Sequence, residues 1–93
     1  MDDRVDDFSR DVVITNELGM HARSAAKIVE IAKHAESEVR LVRDDEEVDA
    51  KSVIDILTLA CAKGSKIKIR IENRSDMKIL NNIVELIKTG FGE

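Results

Sequence analysis

An α+β fold, one sheet with helices on one side, is predicted by three observations. Residues 66–71, KIKIRI, alternate charged and apolar side chains, the pattern of a strand with one buried and one wet face. Residues 22–35 and 76–88 each carry a single apolar stripe at helical spacing. The full element order reads β-α-β-β-α-β-α, and one-faced strands beside one-striped helices make two layers.

Taken in order, residues 1–7 hold four aspartates and read as a disordered acidic lead, followed by one domain over 8–93. A strand is expected over 8–15, with Val12, Val13 and Ile14 at its centre, then a turn over 16–19. The helix over 22–35 aligns Ala25, Ile28, Val29, Ala32 and Ala35, while Lys27, Glu30, Lys33 and Glu36 point elsewhere. A second strand over 38–43 leads through the charged turn 44–47 to a short third strand over 48–50. Residues 52–62 read as a short helix in which Ser52 and Asp55 have capping-box spacing, with Ile56 and Leu59 facing inward. After strand 66–71 and a turn at 73–76, the last helix runs over 76–88, with Leu80, Ile83, Val84 and Ile87 on one face and Gly90 as its stop.

Composition narrows the function classes. Ninety-three residues make one small domain with a modest core. Phe8 and Phe91 are the only aromatics, so the core is aliphatic. A net charge of −4 with no Trp or Tyr offers neither a basic footprint nor stacking platforms for nucleic acid. No stretch approaches the ~18 apolar residues of a membrane span, and the acidic start does not resemble a basic signal region. Cys61 is alone, so no disulfide framework exists, and the expected compartment is the cytoplasm. Cys61 reads as a small buried hydrophobe and His34 as an exposed helix residue.

The segment GMHARSAAKIVEIA begins at Gly19 and places His21 and Arg23 where strand-like sequence gives way to helix. His21 could be a surface cap with no role. As a metal ligand it would be isolated: His34 is thirteen residues on, about 20 Å along one helix at ~1.5 Å per residue, and no metal site is expected. General acid–base or triad chemistry needs a second orienting group, and the local sequence supplies none. The imidazole as a nucleophile in its own right remains. A helix N-terminus offers free N–H donors and partial positive charge, which favour a neutral ring and receive an anion. Arg23 adds planar cationic donors suited to phosphate oxygens. The absence of a neighbouring carboxylate suits a carrier, which should not position a water against the group it holds.

These residues carry a resemblance. GMHARSAAKIVEIA resembles the active-site segment of the HPr family, the histidine-containing phosphocarriers of the bacterial phosphoenolpyruvate:sugar phosphotransferase system, where the pattern is Gly-Leu-His-Ala/Thr-Arg-Pro-Ala. EVDAKSVIDILTLACAKGSKIKI resembles its second signature, and the GFGE end is similar to many members. The likeness covers about residues 8–93 and two separate motifs. It implies an open-faced sandwich of four antiparallel strands covered on one face by three helices.

The resemblance also implies roles. His21 would accept a phosphoryl group on Nδ1 from phosphorylated enzyme I and pass it to a IIA domain. Arg23 would be the phosphate-side cation, with backbone N–H groups of Ala22 and Arg23 as further donors. The family's proline is Ser24 here, which would either give the phosphate a hydroxyl donor or help cap the helix. Ser52 matches a serine phosphorylated in some bacteria by an HPr kinase/phosphorylase, and it is equally an ordinary N-cap. Val53, Ile54 and Leu57 would dock partners, with Arg23, Lys27 and Lys51 at the rim. Asp55 stands where relatives carry glycine or another uncharged or basic residue, which bears on partner choice. The chain would be a monomeric carrier without cofactor, not an enzyme. A different reading is a regulatory binding module of the nitrogen-branch or catabolite-control type, acting through protein partners.

Overall fold

The structure is a computed structural model that describes residues 8–93, so the acidic lead expected over 1–7 lies outside the described residues. Seven elements follow the expected order: β1 Ser9–Val13, α1 Ala22–Ala32, β2 Val39–Arg43, β3 Glu46–Asp49, α2 Val53–Thr58, β4 Lys66–Ile71 and α3 Met77–Lys88. Short 3₁₀ turns at Arg74–Asp76 and Gly90–Gly92 flank α3.

The four strands form one sheet in the order β1-β4-β2-β3, and every neighbouring pair is antiparallel. Ile67, Ile69 and Ile71 are buried on the helix side, as their alternation requires, and Val12, Val39 and Leu41 extend that face. Ala25, Ile28 and Ala32 of α1 and Leu80, Ile83 and Ile87 of α3 complete the core, with Ile56 and Leu59 inside as expected. Each such aliphatic side chain contributes about 1.5–3 kcal/mol by leaving water. The helices α1 and α3 pack together, and α3 also lies over β1 and β4.

Inserting β4 between β1 and β2 has one consequence for function. It brings the loop before α1 against the loop after α2. Ile14 N–H donates to Ser65 O (2.9 Å), Gly64 N–H to Ile14 O (2.8 Å) and Met20 N–H to Cys61 O (2.7 Å). The segment that leads into His21 is therefore held along its length by the loop after α2.

Element ends differ from expectation for identifiable reasons. Helix α1 stops at Ala32, not at residue 35, because the buried Asp76 carboxylate accepts the N–H groups of Glu36 (2.9 Å) and Ser37 (3.0 Å) and draws the chain away. Helix α2 ends at Thr58, not at 62: Ala60 turns to φ +51°, and Arg43 Nη1 takes the carbonyls of Leu59 (2.7 Å) and Ala60 (3.2 Å). Strand β3 starts at Glu46 because the turn needs only Asp44, at φ +55°, and Asp45; Asp tolerates that conformation. Glu46 and Glu47 then lie on an edge strand, where charge discourages pairing with another chain.

Candidate functional site

The site is built on a backbone approach only glycine permits. Gly19 has φ +67°, and a Cβ there would stand 2.6 Å from Cys61 O. The bond from Met20 to Cys61 follows, and it sets His21 as the N-cap of α1 in extended conformation (φ −132°, ψ −179°).

Each ring nitrogen of His21 has a partner. Nδ1 accepts from Arg23 N–H at 3.2 Å, the first-turn donor a helix cannot satisfy internally. Nε2 faces Glu93 Oε2 at 2.7 Å. A carboxylate only accepts and a backbone N–H only donates, so the network puts the ring proton on Nε2 and leaves the Nδ1 lone pair at the helix end. The ring is neither sealed nor fully exposed: 24% of the side chain is accessible.

Glu93 corrects the expectation that no carboxylate orients the imidazole. It arrives from 72 positions along the chain, by a route with several anchors. Phe91 is buried, and Lys27 Nζ donates to its carbonyl (2.6 Å). Asn16, itself buried, donates through Nδ2 both to Gly19 O (2.9 Å) and to Glu93 Oε1 (3.0 Å). The Asn16 donation holds the Glu93 carboxyl below its ordinary value. His21 and Arg23 pull in the same direction, and burial opposes them.

The other predicted residues distribute unevenly. Arg23 is exposed, and its guanidinium has no hydrogen-bond or ion-pair partner among the described residues, though its charge reaches Glu93. Ala22 opens the helix, so its N–H has no intrahelical acceptor. Ser24 is wholly buried: its Oγ accepts from His21 N–H (2.8 Å) and donates to His21 O (3.0 Å). The hydroxyl caps the helix from inside, the second of the two roles expected for it. Lys27 is not a free rim cation, since it holds Phe91, and Lys51 Nζ is turned to Ala35 O (3.3 Å). Ile54 is 75% and Leu57 37% exposed, while Val53 packs partly against the core. Ser52 caps α2, accepting from Asp55 N–H (3.2 Å); its own N–H goes to Asp49 O (3.1 Å), so the capping box is only half formed. Asn16 and Glu93 were the residues that sequence reasoning missed. The GFGE likeness was the one available signal, and it carried no contact.

A sequence model described as the PTS HPr component phosphorylation site matches residues 8–89. The phosphocarrier protein HPr of Cupriavidus necator is 34% identical over 86 residues, 92% of this chain and 97% of its own. The chain belongs to the HPr family. Within that family it is also similar to the phosphocarrier protein NPr of Escherichia coli K12, at 42% identity over 84 residues covering 88% of this chain and 92% of that one. The solved structure of HPr-C-His from Thermoanaerobacter tengcongensis superimposes with a TM-score of 0.85 at 32% identity, over 91% of this chain and 96% of that one. HPr proteins are phosphocarriers of the phosphotransferase system, passing a group between proteins rather than turning over a substrate of their own. Among the described residues no helix is long and apolar enough to cross a membrane.

Proposed function

We propose that His21 is the phosphoryl-bearing residue, loaded by phosphorylated enzyme I and unloaded by a IIA domain. The observation that carries this reading is the division of labour on the ring: Nε2 is occupied by Glu93, and the Nδ1 lone pair lies over the N-terminus of α1. Nδ1 attacks the donor's phosphorus as the donor bond breaks. The N–H of Arg23, released from Nδ1, and the N–H of Ala22 then turn to the phosphate oxygens, where the helix end favours a dianion. The free guanidinium of Arg23 supplies a cation with paired donors. Partners dock on the exposed Ile54 and Leu57 with Arg23 beside them; Lys27 and Lys51 serve mainly to hold the scaffold. Phosphorylation of Ser52 would place charge on the cap of α2 beside this surface and oppose docking of an acidic partner.

Incubation with enzyme I and labelled phosphoenolpyruvate tests the reading. Acid-labile, alkali-stable label is expected on the wild type and on Ser52→Ala, and none on His21→Ala. Label surviving in His21→Ala would refute it.

A further inference from the structure

We propose that Glu93 is a positioning residue whose carboxylate balances the charge that phosphorylation puts on the His21 ring; the proposal rests on His21 being the carrier. The structure holds this carboxylate with unusual care. Gly90, Phe91 and Gly92 all have positive φ (70°, 60° and 74°), and for a buried phenylalanine the left-handed region costs about 1–2 kcal/mol. That cost persists because Phe91 is packed into the core and tied through its carbonyl to Lys27. The product of this strained turn is one carboxylate with two directed partners, Asn16 Nδ2 on Oε1 and His21 Nε2 on Oε2.

The transfer itself shows what such a carboxylate does. The ring begins neutral, with its proton on Nε2. Nδ1 forms a bond to phosphorus, the donor's bond to phosphorus breaks, and that bonding pair returns to the donor. The ring has gained a substituent and kept its proton, so it is now a cation. When an acceptor nucleophile attacks phosphorus, the Nδ1–P pair returns to the ring, which leaves neutral. No proton moves in either direction. The cation exists only while the group is carried, and in that interval it donates to a carboxylate 2.7 Å away in the resting state. Glu93 lies on the ring edge away from the phosphate, and Arg23 supplies the positive charge on the phosphate side. Of the other charges nearby, Lys27 donates to Phe91 O and Glu17 pairs with Lys63, while Lys88, which lines the same cleft as Glu93, has no ion-pair partner among the described residues.

The test uses the full chain, phosphorylated by enzyme I and phosphoenolpyruvate, as wild type, Glu93→Gln and Glu93→Asp. Glutamine keeps an acceptor for Nε2–H and removes the charge. The midpoint at which the phosphorylated ring loses its proton, read from the ³¹P shift, is expected to fall by about one pH unit in Glu93→Gln, and aspartate should recover part of it. Transfer from enzyme I should slow about tenfold in Glu93→Gln while the amide spectrum away from the site is unchanged. A Glu93→Gln midpoint within about 0.3 pH unit of wild type, with a rate within about twofold, would overturn the role of Glu93 while leaving His21 as carrier. Failure of the wild type to take label on His21 would overturn both.

Discussion

The N-termini of α1 and α2 solve the same problem with different means. Both helices start on an extended residue whose side chain accepts a first-turn N–H: His21 from Arg23, and Ser52 from Asp55. At α2 the further bond, from Ser52 N–H to Asp49 O, spans three residues, so the cap is local. At α1 the cap is itself capped by the buried Ser24, its other nitrogen meets Glu93, and the segment bearing Glu93 is anchored by Asn16, Lys27 and the burial of Phe91. A hydroxyl needs no help to end a helix. A ring that must present one chosen nitrogen does, and the extra contacts at α1 are those that fix its orientation and tautomer.

The largest separation of the two ends is expected from Phe91→Ala. Truncating a fully buried aromatic costs about 3–5 kcal/mol in chemical denaturation. Amide shifts should move at His21 and Asn16 and stay in place at Ser52. Equal disturbance at both helix starts would break the contrast. Ser24→Ala should cost about 1–2 kcal/mol, since it removes the cap and leaves His21 N–H without its partner. Ser52→Ala should cost about 1 kcal/mol, with no effect on phosphoryl acceptance.

Acid gives the smallest and most selective effect. The Glu93 carboxyl is held below its ordinary value, chiefly by Asn16, so folding gains from its ionised form. That contribution is fully present above the ordinary glutamate range. It is lost as pH falls through the depressed value, where both states become protonated. Amide shifts of Asn16 and His21 should therefore follow a transition below the ordinary glutamate range.

Much of this fold was legible because its signals are periodic. Ile67, Ile69 and Ile71 declare a one-faced strand, and Leu80, Ile83 and Ile87 a one-striped helix, with no knowledge of partners. Helix ends were less legible, since Asp76 captures Glu36 and Ser37 from forty positions away and nothing local announces it. The site divides in the same way. His21 and Arg23 stand out by type and place, and Ile56 and Leu59 by apolar spacing. Lys27 and Lys51 look like surface cations in sequence, yet each is spent on a distant carbonyl. The direction of the Ser24 hydroxyl depends on a helix rotation that sequence does not state. Glu93 reaches His21 only through the folded path of the chain, so its role had to come from coordinates.

The most direct measurement is ³¹P–¹⁵N coupling in the protein phosphorylated by enzyme I with ¹⁵N-labelled histidine. The account predicts a one-bond coupling from phosphorus to Nδ1 of His21, with Nε2 still protonated. Coupling to Nε2, or phosphorus on the oxygen of Ser52 with none on His21, would contradict it.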